Sequence, residues 1–136
     1  MKIYQAIGYM ILHTTAITNV ISTRCNHGLR PASSVMPCIN YYGVGGTTQV
    51  ADIVSSRFSI NCRAADPGIA RDLARSIAAL FGGSQGNGIY GTTGASNTFG
   101  LARCSVIADG GLIPEPTEGA YNAPIDILVV HSTGET

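Results

Sequence analysis

Charge is scarce in this chain. Only 12% of its 136 residues are Asp, Glu, Lys or Arg, about half of the roughly 25% usual in soluble domains. Solubility normally leans on charge, so this thin coat points to a surface that neighbours cover. Eight basic residues balance eight acidic ones, which excludes the clustered Lys and Arg of a nucleic-acid binder. The four cysteines, Cys25, Cys38, Cys62 and Cys104, contain no C-x-x-C pair, so a thiolate zinc site is not expected. Cys38, Cys62 and Cys104 lie in apolar, strand-like runs, where a free thiol behaves as a small hydrophobe and a reducing cytoplasm suffices. No apolar run reaches the roughly 18 residues of a membrane helix. Gln5, Gly8 and His13 interrupt the N-terminal apolar stretch, and Thr14-Thr15-Ala16 makes a poor cleavage site, which argues against a signal peptide.

What is present is apolar and turn-rich. Hydrophobic residues make up 45%, with 17 glycines and six prolines. That composition excludes a disordered chain and suits one domain, 1–136, rich in strands. The charges are distributed unevenly. Residues 1–63 carry five cations against Asp52 alone, whereas residues 64–136 carry three cations against seven acids. Two faces of opposite sign would let copies complement one another edge to edge.

Ile3, Ile7, Met10, Ile11 and Thr14 share a helical face, so residues 2–14 read as an amphipathic helix weakened by Gly8. Residues 15–36 read as a connector. A strand follows at 38–42, then a glycine-containing hairpin loop at 43–50, then a strand at 53–64 that alternates Val54, Phe58, Ile60 and Cys62 with Arg57, Ser59, Asn61 and Arg63. Period two with one polar face predicts a half-exposed antiparallel sheet. Asp66-Pro67 opens a helix over 67–81 with Ile69, Leu73, Ile77 and Leu80 on its inner side. A glycine-rich loop at 82–98, a strand at 101–106, a turn at 109–119 and a strand at 125–130 complete the chain. The end of that last strand is apolar on both faces, so its outer side should meet something. The expected fold is α+β, order α-β-β-α-β-β: an antiparallel sheet of about four strands with two helices packed on one face and long loops.

The chemistry-bearing residues form no active site. Cys25 and His27 lie close in sequence, but residues two apart seldom point at each other and no third orienting group is evident. Gly43-Val44-Gly45-Gly46 lacks the Lys-Ser/Thr and the following helix of a phosphate loop, and the glycines of 82–94 follow a helix instead of preceding one. Asp109, Glu115, Glu118 and Asp126 lack the ligand spacing of a calcium loop. No cofactor, metal or catalytic residue is expected, and the chain does not read as an enzyme.

Several stretches in their order resemble the tail completion, or tail terminator, proteins of long-tailed bacteriophages. These are the N-terminal helix leading to Ile21-Ser22-Thr23-Arg24, then Met36-Pro37-Cys38-Ile39-Asn40-Tyr41, then Phe58 to Ala64. Asp66 to Ala74 and the segment from Pro114 through Tyr121 into Ile125-Asp126-Ile127 follow. The chain departs from that family in its glycine-rich 82–98 stretch and at Ala120-Tyr121-Asn122, where a basic residue often follows the aromatic. The resemblance implies a homo-oligomeric ring, commonly a hexamer, at the head–tail junction of the virion. Such a ring caps the tail tube protein, ends its polymerisation and meets the head-tail connector protein, while genomic DNA passes through the lumen without being gripped. No membrane is involved. A head-to-tail ring needs two complementary edges on each subunit, and the candidate subunit-interface residues are Arg57, Arg63, Arg71, Arg75, Asp109, Glu115 and Glu118. The alternatives are another connector, neck or minor tail-tube protein, a small oligomeric enzyme using Cys25 or His27, or an adaptor.

Overall fold

A computed structural model describes residues 2–29, 35–82, 93–94, 97–98 and 103–132. The first helix, α1 (Ile3–Leu12), forms where the periodicity predicted it and buries Ile3, Ala6, Ile7 and Ile11. Gln5 accepts a hydrogen bond from the Lys2 backbone N–H at 2.8 Å, satisfying one otherwise free donor of the first turn. At the other end, the Thr14 hydroxyl donates to the Met10 carbonyl and His13 Nδ1 to the Tyr9 carbonyl. Gly8 is needed here: a Cβ on it would sit 2.5 Å from the Tyr41 hydroxyl.

The expected connector at 15–36 instead holds a second helix, α2 (Thr15–Ile21), and a short strand, β1 (Cys25–His27). Helix α2 is too short to show a helical period and too short to stand alone. It forms because Ile17 and Ile21, one turn apart, are both buried. Ser22, at φ 55, ends it. Arg24 then ties that end down, donating to the Val20 carbonyl and to the Pro37 carbonyl at 2.8 Å.

The next two strands, β2 (Cys38–Val50) and β3 (Ile53–Ala64), form one long antiparallel hairpin turning at Ala51-Asp52. The expected loop at 43–50 is therefore strand. Its pairing jumps from Val44↔Arg57 to Thr48↔Ser55, so the glycines there absorb two extra residues as a bulge instead of leaving the sheet.

Helix α3 (Pro67–Gly82) begins as predicted, with Asp66 Oδ1 accepting from the Gly68 N–H at 2.7 Å. Its inner stripe is rotated from the expected one. Ala70, Leu73, Ala74, Ile77 and Phe81 are buried, while Ile69 faces outward. A Cβ on Gly82 would meet Val106 at 2.6 Å, so the small residue lets the helix end against the sheet. Most of the glycine-rich stretch 82–98 lies outside the described residues. Within it β4 (Thr93–Gly94) pairs β5 (Asn97–Thr98).

The C-terminal part corrects the expectation again. Strand β6 (Arg103–Asp109) is followed by β7 (Ile113–Glu115) and a 3-10 turn (Pro116–Glu118) where a plain turn was expected, and the last strand, β8 (Ala120–Ser132), starts five residues early. Strands β6 and β7 pair successive stretches of the same side of β8. Between them the Gly110 N–H donates to the Pro124 carbonyl at 2.9 Å.

The main sheet runs β1-β2-β3-β8-β6, with β7 beside β8. Strands β2, β3, β8 and β6 are antiparallel, and β1, parallel to β2, and β7 bring the sheet to six strands, so the expected sheet of about four and the order α-β-β-α-β-β are both corrected. The α+β class holds, with three helices among the described residues instead of two. A single core joins α1, α2 and α3 to one face of the sheet, where Ile39, Tyr41, Phe58, Ile60, Cys62, Ile125, Ile127 and Val129 point. Each fully buried Ile or Phe there contributes about 1.5–3 kcal/mol.

Candidate functional site

Because side chains alternate along a strand, the residues between those core positions line the opposite face, which carries no helix. Register places Asn40, Tyr42 and Val44 of β2 beside Asn61, Ser59 and Arg57 of β3, which in turn face Pro124, Asp126 and Leu128 of β8. One end of this face is polar and internally tied. Arg63 donates to Glu115 at 2.9 Å and to Asn40 Oδ1, Asn40 Nδ2 donates to the Gly28 carbonyl at 3.1 Å, and Asn122 Nδ2 donates to Asn61 Oδ1 at 2.9 Å. Arg57 bridges to Asp126 at 3.1 Å. Toward the other end the face turns apolar with Val44, Leu128 and Val130, flanked by exposed Ile53.

Among the described residues, Arg57 Nε, Asn61 Nδ2 and Asn122 Oδ1 on this face have neither solvent nor a hydrogen-bond partner. Asn40, Asn61 and Asn122 are buried although they lie on the face opposite the helices.

The predicted interface residues fall into two groups. Arg57, Arg63 and Glu115 lie on the helix-free face, and their charges are met inside the chain. The +4/−4 division of the sequence is therefore partly folded together: in both pairs the cation comes from the first half and the anion from the second. Arg71, Arg75 and Asp109 come together elsewhere, around a cleft of about 60 Å³ between α3 and the end of β6. There Asp109 accepts from the Gly111 N–H at 2.9 Å, and Arg75 lies 3.5 Å from Asp72, both side chains more than 70% exposed. Glu118 stands exposed in the 3-10 turn.

The Cys25/His27 pair is poorly disposed for nucleophilic work. Burial, with Cys38 nearby, pushes the Cys25 thiol up to about 12, so it holds its proton at neutral pH, and the reactive thiolate is absent. The His27 ring stacks on Tyr4 at 4.5 Å and leans on Tyr41 at 5.3 Å.

A Ser/His contact was invisible in the sequence. Ser56 Oγ and His131 Nε2, 75 residues apart, lie at 2.8 Å, and His131 Nδ1 lies 2.9 Å from the Ser132 carbonyl. That carbonyl can only accept, so Nδ1 carries a proton, and in the neutral imidazole Nε2 then accepts from the Ser56 hydroxyl. Such a bond can activate a serine, but here both residues are buried, His131 to 1% exposure. The pair satisfies a core histidine. No sequence signal could have joined two residues that meet only through the β3–β8 register. Among the described residues no group of three or more His, Cys, Asp or Glu could hold a metal ion, and no helix is long and apolar enough to cross a membrane.

The chain matches no protein-family model and no curated protein.

Proposed function

We propose that this chain is a structural subunit of a ring, a tail-terminator-like protein that caps a phage tail tube and joins it to the head connector while DNA passes through. One observation carries the reading: the helix-free face of the sheet, where Tyr42, Val44, Leu128 and Val130 lie beside ion-paired Arg57 and Asp126. In a two-layer domain the sheet face opposite the helices is ordinarily left to water and carries charge. This one mixes apolar side chains with charges already neutralised by one another, which suits coverage by neighbouring subunits. The low charge of the whole chain and the ordered motifs that resemble the terminator family support the same reading. A surface of paired charges also suits a conduit that must not hold DNA.

Native mass spectrometry of the purified chain, followed by negative-stain imaging and a tube-capping assay, tests it. Six-membered annuli that halt the growth of tube protein are the expected result. Tubes that lengthen unchanged in its presence, or a discrete dimer without an open centre, would overturn the proposal. An annulus found elsewhere along the particle axis would reassign it to the neck or the tube.

A further inference from the structure

We infer that two copies of this chain pair back to back through the helix-free face of the sheet. The two-fold axis runs along the strands, and Arg103 of each copy meets Asp52 of the other. A two-fold contact closes on itself, so it is not the joint between neighbours within one ring. It deepens the ring reading by naming what covers this face, a subunit of a second ring. That setting rests on the ring reading, whereas the contact itself rests on the face alone.

The centre of the contact is apolar. Val50 and Ile53 are partners across the β2–β3 turn and are 71% and 55% exposed. Alternation puts Ile53 on the same face as Ser55 and Arg57. The bulge adds an even number of residues to β2, so Val44 and Val50 share that face as well. Register carries it on to Leu128 and Val130 of β8. Arg57 and Asp126 neutralise each other here, so covering them brings no net charge into the contact.

The margins of the face identify the partner. Arg103 is the register partner of Val130, so it lies on this face, and it is exposed. Asp52 stands exposed at the β2–β3 turn. Neither side chain has an ion-pair partner among the described residues. Both charges belong to one end of the sheet, because Arg103, Val130 and Ser55 form one row and Asp52 is three residues beyond Ser55. They sit at opposite margins, however. Strands β2 and β6 are separated by β3 and β8, roughly 14 Å at ordinary strand spacing, so one copy does not pair them by itself.

A two-fold axis along the strands, between β3 and β8, lays the β2 margin of one sheet over the β6 margin of the other. It keeps the same end of both sheets together. Each Arg103 then comes to the corner that holds the other copy's Asp52, and the pair is made twice. An axis across the strands would set opposite ends together and leave both charges unmet. Strands kept nearly aligned, in sheets about 10 Å apart, are an ordinary face-to-face packing. Four strands and the seven residues of β6 span a patch of roughly 450 Å² on each copy. The total of about 900 Å² is at the small end of specific interfaces, so the pairing is of micromolar strength.

Charge reversal tests this by sedimentation velocity, with circular dichroism to check folding. Arg103→Asp alone sets two carboxylates together at both corners, and Asp52→Arg alone sets two guanidinium groups together. Both sites are exposed, so the fold should be kept. Each variant should weaken pairing at least about tenfold. An equimolar mixture of the two, and the chain carrying both substitutions, should recover it, because every corner again holds one charge of each sign. Ile53→Lys, at the apolar centre, should abolish it. In negative stain the wild-type chain should give double annuli, and either single reversal should leave single ones. Single annuli in wild type and variants alike would overturn the contact and leave the ring reading standing. Plain dimers that the reversals split and the mixture restores would support the contact and reject the ring. Reversals without effect, a mixture that does not recover, or a wild-type chain monomeric throughout would overturn the contact.

Discussion

Gly8→Ala is a substitution for which local propensity and tertiary packing predict opposite signs. In the interior of a helix, replacing Gly by Ala gains about 0.8–1 kcal/mol. Position 8 lies in the middle of α1, but its backbone approaches Tyr41, which is only 5% exposed. The added Cβ would lie 2.5 Å from the Tyr41 hydroxyl, against an ordinary 3.5 Å from Cζ and 3.8 Å from Cε1. Only the hydroxyl obstructs. That hydroxyl donates to the Tyr4 carbonyl at 2.7 Å, and pushing it aside leaves a buried donor unsatisfied at a cost of about 1–3 kcal/mol. The net expectation is a loss of about 1 kcal/mol. Tyr41→Phe removes the obstruction, so in that background Gly8→Ala should stabilise by about 0.8–1 kcal/mol. The four corners of this cycle, measured as urea midpoints at constant m-value, should show a coupling of about 2 kcal/mol. Effects that add to within about 0.5 kcal/mol, or a stabilising Gly8→Ala in the wild-type background, would refute the close approach of α1 to β2.

Three further outcomes follow from the site and the core. Arg63 is only 17% exposed in its side chain and serves Glu115 and Asn40, so Arg63→Met should cost about 2–3 kcal/mol, whereas Arg57→Met, at a pair whose Arg is 42% exposed, should cost about 0.5–1; equal losses in chemical unfolding would contradict the difference in burial. Asn61→Leu or Asn122→Leu alone should cost about 1–3 kcal/mol by stranding the other amide, and the double variant should cost clearly less than the sum, which thermal unfolding would check; strict additivity would mean that the amides are not each other's partner. Burial pushes the Cys25 and Cys104 thiols up to about 12 from an ordinary 9.0, and Cys62 in the same direction. The folded chain therefore keeps protons that the unfolded chain releases, so stability should be flat below about pH 9 and fall toward about pH 12, by about 1.4 kcal/mol per pH unit for each thiol. Urea midpoints under reducing conditions that do not change between about pH 7.5 and about pH 10 would show that the thiols are not sealed in.

Much of the fold was legible wherever one element carried its own period. Helix α1, strand β3 and the start of α3 are long enough to repeat their pattern, and Asp66-Pro67 is a local signal read by one turn of backbone. Helix α2 and strand β1 were not legible, because seven and three residues cannot display a period and exist only through what they pack or pair with. The glycines at 43–46 look like a loop in isolation; pairing with β3 holds them as a bulge. Ile69 has the spacing of a core residue, but the stripe that α3 buries is chosen by the sheet beneath it.

The candidate site divides in the same way. Sequence alone determined that the chain is poor in charge, that the end of the last strand is apolar on both faces, and that Arg57 and Arg63 lie on the polar side of an alternating strand. Tertiary structure alone decided that Arg63 serves Glu115 and Asn40, that Arg57 serves Asp126, and that Ser56 meets His131. The reason is geometric. Composition and alternation are properties of neighbouring residues along the chain, whereas a partner 52, 69 or 75 residues away is brought near by strand register, which the whole sheet and its core determine together.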